Sequence, residues 1–204
     1  MNVVDRIHGS YVHQRRVRVL RDHLARLLPD AGEVLDIGCG DGVLAKLIQD
    51  RKPGATISGI DVLVRGETAV PVTEFDGVVI PFPDASFDSV MFVDVLHHTN
   101  DPMVLLREAA RVSRGAIVLK DHTLNGWLAG TTLRFMDRVG NLRHNVVLPH
   151  NYWPYRRWVS AFRELGVSLE TWISDVGLYP APASWIFGRS LHFIARLEKS
   201  NKSI

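Results

Sequence analysis

The stretch VLDIGCGDGVLAKL, residues 34–47, sets Gly38, Gly40 and Gly42 at alternate positions between two apolar runs. A turn so free of Cβ atoms lets a ligand approach the main chain, and at the mouth of a helix its N–H groups face that ligand. Asp61 follows nineteen residues after Gly42, behind a second apolar run. A carboxylate there can accept both hydroxyls of a ribose, so the pattern predicts nucleoside binding. The same turn carries Asp36 at its entrance and Asp41 within it. Two carboxylates repel a pyrophosphate, yet they favour a nucleoside that bears cationic groups such as an ammonium and a sulfonium.

A second set of residues could move protons. Imidazole suits that task near neutral pH, provided it reaches the reacting hydroxyl or carbon acid. His97 and His98 lie in DVLHHT and Asp121 with His122 follows GAIVLK, in both cases where an apolar run ends. Carboxyl ends of parallel strands face the ligand crevice, so His98 and His122 are the candidate catalytic residues. Each has a structural alternative: His97 or His98 as a satisfied histidine of the interior, His122 as a helix cap or loop tether. Cys39 is the single cysteine. It excludes an intrachain disulfide or a Cys-based zinc cluster, and with no base beside it reads as a small packing residue. Asp88 reads as a turn stabiliser at a strand entrance. None of the nine histidines shows HExxH spacing, and no cluster of carboxylates suited to a metal-dependent catechol-type site stands out. No metal is expected.

These residues need a frame. Val17, Leu20, Leu24, Leu27 and Leu28 recur at helical spacing, while Arg15, Arg16, Arg18, Arg21 and Arg26 fall mostly elsewhere on the wheel. This predicts an amphipathic first helix, ended by the residues from Pro29 to Gly32. EVLDI then reads as a buried strand entering the glycine turn, with a helix from Val43 to Asp50 behind it. ATISGID (55–61), FDSVMFVDV (87–95) and GAIVLKD (115–121) are further apolar strands, the first two separated by an irregular stretch. Pro102 to Val112 reads as a helix capped by Asn100 or Asp101. PYRRWVSAFRELG predicts a helix closed by Gly166, and VSLETWIS and SLHFIARLE predict two final antiparallel strands. Alternating strands and helices imply right-handed crossovers and a mostly parallel sheet covered on both faces. The fold class is therefore doubly wound α/β.

The motifs also carry a resemblance. VLDIGCGDG resembles the first motif of class I S-adenosylmethionine-dependent methyltransferases, and GID, DGVVIPFPDASFD and DVLHHTNDP resemble the following motifs of the methyltransferase-11 type subgroup. The match runs from about Glu33 to Asp121. It implies a Rossmann-like sheet of seven strands in the order 3-2-1-4-5-7-6 with the seventh reversed. It also implies S-adenosyl-L-methionine as cofactor. On that resemblance Gly38, Cys39 and Gly40 pass close to its methionine part, Asp36 organises the turn, and Asp61 with Val62 beside it holds the ribose. Asp76 receives the adenine amine, Gly77 donates to a ring nitrogen, and the Val93 carbonyl meets the ammonium.

What is methylated is narrowed by absences. Enzymes that methylate exocyclic base amines resemble one another in an Asn/Asp-Pro-Pro-aromatic motif, and this chain has DVLHH there. C5-cytosine chemistry needs a thiol outside the cofactor turn. A net charge of +2 gives little reason for a polyanionic partner. A small-molecule or lipid-like acceptor, methylated at oxygen, nitrogen or carbon, remains. Residues 122–155 read as an acceptor-site insertion within a single domain spanning 1–204, after an N-terminal helical segment at 1–30. His144, His150, Asn151, Tyr152, Trp153 and Tyr155 supply stacking faces and hydrogen-bond groups there, against the alternative of an aromatic mini-core for Trp153 and Trp158. The arginines of the first helix read as a solvated face, or as a peripheral contact with an anionic membrane. YPAPASWIFGR exposes Trp185, Ile186 and Phe187. Without an apolar run of eighteen residues or a secretory leader, the expected location is cytoplasmic. Two competing functions use the same type of sheet: an NAD(P)-dependent oxidoreductase, disfavoured by GxGxG in place of GxGxxG, and a non-catalytic nucleoside-binding regulator.

Overall fold

A computed structural model describes residues 3–141, 149–188 and 190–199. His144 lies outside them. Seven strands form one sheet: β1 (Ala31–Ile37), β2 (Gly54–Asp61), β3 (Val72–Glu74), β4 (Phe87–Val93), β5 (Ser113–His122), β6 (Val167–Ile173) and β7 (His192–Lys199). Their spatial order is β3-β2-β1-β4-β5-β7-β6, as the motifs implied. The first five pair in parallel, and β7 runs antiparallel to both β5 and β6. The helices are α1 (Val3–Leu27), α2 (Val43–Gln49), α3 (Pro102–Val112), α4 (Ala129–Asn141), α5 (Tyr155–Glu164) and the single turn α6 (Ser184–Phe187).

Strand residues alternate between two apolar clusters because successive side chains point to opposite faces. Leu35, Ile37, Ile117 and Leu119 join α3 and α5 on one side, where Leu106, Trp158 and Phe162 are buried. Val34, Met91, Val118 and Ile194 face the other side, against Leu20 and Leu24 of α1 and Ala45 and Ile48 of α2. The amphipathic α1 is therefore a sheet cover. Asp101 caps α3, its carboxylate accepting from Met103 N–H at 3.0 Å with Pro102 in the first turn. Among the described residues no helix is long and apolar enough to cross a membrane.

Several boundaries differ from the sequence reading. β3 is only three residues long and was absorbed into the irregular stretch; its periodicity is too short to register, and it exists by pairing Val72–Glu74 with Gly59–Asp61. β4 stops at Val93, because Asp94 turns into the left-handed region with φ 59°. β5 runs on through His122, which ends a strand rather than opening the insertion. Arg16 does not lie on a solvated face; it pairs with Asp94. Trp153 and Trp158 form the mini-core with ring centroids 4.8 Å apart, and Trp158 contacts Phe193 of β7 at 5.1 Å. Trp185 and Ile186 are exposed, while Phe187 is half-buried against Tyr179.

Candidate functional site

The carboxyl ends of β1, β2 and β4 surround a cleft of about 450 Å³ lined by Gly38, Asp61, Asp76, Gly77, Val95 and His98, among others. The glycine turn leaves β1 with φ 72° at Gly38 and 61° at Gly40, conformations an L side chain adopts only at a cost. A Cβ on Gly38 would lie 2.5 Å from Val95 Cγ2, so the turn can pass this strand end only as glycine. Gly38 N–H donates to Ile60 carbonyl at 2.8 Å, which ties the turn to β2. Asp61 then fixes it from the far side: Oδ2 accepts from Gly40 N–H at 2.8 Å and Oδ1 from Leu63 N–H at 3.0 Å. Each carboxylate oxygen has two acceptor sites, so capacity for a ligand hydroxyl remains at both.

Asp36 is buried, and its Oδ1 has no hydrogen-bond partner. Burial, reinforced by the nearby Asp61, pushes its carboxyl up to about 8. Asp41 instead serves α2, accepting from Val43 N–H at 3.1 Å. Cys39 turns its sulfur onto Gly59, where a Cβ would come within 2.3 Å, and burial raises the thiol to about 12. It is a packing residue, and only its backbone is left to meet a ligand. Asp76 caps its own turn through Oδ1, which accepts from Val78 N–H at 2.8 Å and Val79 N–H at 2.7 Å. Those bonds lower its carboxyl, and Gly77 beside it has φ 79°. Val93 ends β4 in register with Lys120, its half-buried side chain packed on the α1 side of the sheet. Asp88 does not stabilise a turn of its own: lying within β4, it ties the neighbouring strands, accepting from Glu33 N–H of β1 at 2.8 Å and from Arg114 Nε of β5 at 3.0 Å.

Beyond β4 and β5 lies a second cavity of about 270 Å³, bounded by Arg16, Asp94, His97, His98, His122 and Asp137. Among the described residues, His98 lines both cavities. Residues 96–98 form a short 3₁₀ turn, held by Asp121: its Oδ2 accepts from Leu96 N–H at 3.0 Å and its Oδ1 lies 2.6 Å from His97 Nδ1. Asn151 clamps the same turn, donating from its N–H to His97 carbonyl at 3.0 Å and from Nδ2 to Asn100 carbonyl at 3.0 Å. Asp94 receives both Arg16 and Lys120. His122 Nδ1 lies 3.3 Å from His97 Nδ1, and Lys120 Nζ 3.3 Å from His192 Nδ1.

Burial opposes charge throughout this pocket, and each residue's neighbours decide the outcome. His97 is held above the usual imidazole range because the Asp121 carboxylate outweighs its burial. His98 is held below that range by burial and by His97, and one of its ring nitrogens, Nδ1, is buried without a partner. Burial, Lys120 and His97 push His122 down to about 4. Asp94, though buried, stays well below the ordinary carboxylate range beside Lys120 and Arg16.

The sequence reading found no cluster of carboxylates; Asp94, Asp121 and Asp137 form one, with His97, His98 and His122 between them. They come from a strand end, the next strand and α4, so no spacing rule connects them. Lys120 was the available signal, since a lysine inside an apolar strand requires a buried acid. Of the insertion residues, Tyr152 supports the wall residue Asp137, to which its hydroxyl donates, and His150 Nδ1 lies 3.3 Å from that hydroxyl. Tyr155 packs instead against Trp172, with ring centroids 4.8 Å apart.

Residues 11–178 match the family model described as a methyltransferase domain. A 27-O-demethylrifamycin SV methyltransferase of Amycolatopsis mediterranei is 35% identical over 81% of this chain, which spans 65% of that protein. Trans-aconitate 2-methyltransferase of an Azoarcus species is 28% identical over 86% of this chain and 75% of its own. Among solved structures, an S-adenosylmethionine-dependent methyltransferase of Mesorhizobium loti superposes with a TM-score of 0.67 at 17% identity, covering 89% of this chain and 98% of that one. With its seven-stranded order, its glycine turn and the match over most of its length, the chain belongs to the methyltransferase-domain family of the class I S-adenosylmethionine-dependent superfamily.

Proposed function

We propose that the chain transfers a methyl group from S-adenosyl-L-methionine to a hydroxyl of a small polar acceptor, or of the polar end of a larger one. The observation that carries this is the position of His98 between the cleft behind the glycine turn and the histidine-rich pocket. The residues at and around the cleft fit the cofactor: Gly38 and Gly40 carry no Cβ, Asp61 keeps acceptor capacity, and Asp36 has a buried oxygen with no partner. Gly38 and Gly40 would pass its amino-acid part with Cys39 contributing backbone only, Asp61 and Val62 would hold the ribose, and Asp76 and Gly77 the adenine. The Val93 carbonyl would take the ammonium. When bound, the cofactor supplies a methyl carbon made electrophilic by positive sulfur. The protein's share is then alignment, exclusion of water and removal of a proton.

His98 performs the last of these, taking the hydroxyl proton at a ring nitrogen that its surroundings keep neutral. His122 forms the far wall and helps to orient the acceptor. A pocket of about 270 Å³ lined by charged side chains suits a small or narrow polar group and does not suit a nucleic-acid base stack. Asp137 of α4, in the insertion that follows β5, forms the acceptor-side wall, and Tyr152 holds it there. Assignment to the methyltransferase-11 type subgroup rests on DVLHHTNDP and its neighbours.

Calorimetry with S-adenosylhomocysteine tests the cleft: the wild type binds, and Asp61→Ala binds far more weakly while remaining folded. Stabilisation by NAD or NADP and none by S-adenosylhomocysteine would overturn the reading. Incubation with cell extract and methyl-labelled cofactor tests the reaction. A metabolite that gains one labelled methyl group is expected, with the yield lost in His98→Ala.

A further inference from the structure

We propose that the polar pocket is a binding site for one divalent transition-metal ion, held by His97, His98 and Asp137. A ring nitrogen of each histidine and a carboxylate oxygen of Asp137 lie within 4.8 Å of one another. His97 Nε2 stands 3.7 Å from Asp137 Oδ2. That separation is too long for a hydrogen bond. Bonds of ~2.0–2.2 Å to a tetrahedral ion set neighbouring ligand atoms roughly 3.4 Å apart, so a small shift of either side chain closes the site.

The surroundings are those of a ligand set. Asp121 lies 2.6 Å from His97 Nδ1 and fixes that nitrogen as the donor, which leaves Nε2 to face Asp137. A carboxylate behind a ligating histidine orients the ring and raises its basicity. Tyr152 donates its hydroxyl to Asp137 Oδ2 and fixes that carboxylate. His98 presents a buried ring nitrogen, Nδ1, without any partner, and its ring centroid is 3.9 Å from that of His97. His150 Nδ1 lies 3.6 Å from the same Asp137 oxygen and 3.3 Å from the Tyr152 hydroxyl. Asp94, on the pocket wall, holds a positive φ of 59°. Such strain gathers at sites where a fixed geometry is used.

A neighbouring trio, Asp94 with His97 and His122, meets the same distance criterion. It is the poorer site: Asp94 is already neutralised by Lys120 and Arg16, and His97 Nδ1 belongs to Asp121. Two imidazoles and a carboxylate with open positions suit zinc or ferrous iron and similar ions, rather than magnesium or calcium. An ion held by His98 occupies the lone pair that the proposed methyl transfer uses as its base, so the ion-bound form does not carry out that transfer. The ion site itself depends only on these side chains, and not on the proposed methyl transfer.

The test is a titration of the full chain with Co²⁺ alone, after chelator treatment and removal of the chelator, followed by visible absorption. A saturable ligand-field band that levels off at one equivalent and is abolished by Zn²⁺ is expected. His98→Ala and Asp137→Asn should each weaken binding by roughly tenfold or more, and Tyr152→Phe by ~10-fold through its hold on Asp137. The exposed Asp50→Asn should bind as the wild type does. Circular dichroism checks folding, and His98→Gln replaces any variant that misfolds. Absence of a saturable band, a band that survives in both ligand variants, or one lost only in Asp94→Asn overturns the proposal. S-adenosylhomocysteine affinity on the same samples reports the cleft separately: its loss alone would sink the cofactor assignment and leave the ion site standing.

Discussion

Asp121 joins His97 across twenty-three intervening residues, Oδ1 to Nδ1 at 2.6 Å, with both side chains buried. The same carboxylate accepts from Leu96 and His122 N–H groups, at 3.0 and 2.7 Å. One side chain therefore locks the 3₁₀ turn after β4 to the end of β5. Removing it leaves three donors unpaired in the interior. Asp121→Ala is expected to cost about 3–5 kcal/mol, and the isosteric Asp121→Asn distinctly less. Urea unfolding monitored by fluorescence measures both, and a loss below ~1 kcal/mol in the alanine variant would remove Asp121 from its central role.

Asp36 predicts a pH dependence. Its carboxyl, raised from 3.8 to about 8 by burial and Asp61, binds more protons folded than unfolded between those values. Its contribution to stability is therefore complete below pH ~4 and lost as pH rises through ~8. Thermal unfolding of the ligand-free protein from pH 5 to 9 should show this decline. Asp36→Asn should flatten it and be the more stable protein at the alkaline end. A variant that keeps the full slope would assign it to other groups.

Two glycines of one turn separate strain from collision. Gly38 combines φ 72° with Val95 Cγ2 at 2.5 Å from its would-be Cβ, whereas Gly40 has φ 61° and only the tip of Arg65 at 3.8 Å. Gly40→Ala should cost about 1–2 kcal/mol from its backbone alone. Gly38→Ala should add roughly 1–3 kcal/mol for overpacking. Equal unfolding midpoints would mean that Val95 yields without cost.

Lys120 and Arg16 both meet Asp94, yet they should not be equivalent. Lys120 is fully buried, while the Arg16 side chain retains 34% of its exposure. Arg16→Ala leaves Asp94 paired and should cost about 1 kcal/mol. Lys120→Ala leaves a cavity beside an under-compensated acid and should cost about 3–5 kcal/mol. Chemical denaturation of the two variants gives the order directly.

The extent to which the site can be read from sequence follows from distance along the chain. Gly38, Asp61, Asp76 and Gly77 belong to local turns between strands of clear apolar pattern, and the structure gathers them at one cleft. The cap of α3 was legible to within Asn100 or Asp101 because capping involves only the next few residues, and the structure selects Asp101. Arg16, Asp94 and Asp137 had no such mark. Arg16 looked like one of several surface arginines, and its role appears only when α1 lies across the end of β4. β3 escaped notice because three residues carry too little periodicity.

By itself the sequence determined the doubly wound architecture, since period-two and helical apolar patterns dictate which faces must be buried, and it determined the glycine turn, since φ and Cβ are properties of single residues. Only the tertiary structure decided that Asp94, Asp121 and Asp137 surround three histidines, and that His98 lines both this pocket and the cleft behind the glycine turn. Charges so far apart in the chain come together only because packing the sheet brings the ends of β4, β5 and α4 to one place. Burial then obliges each of them to take a partner.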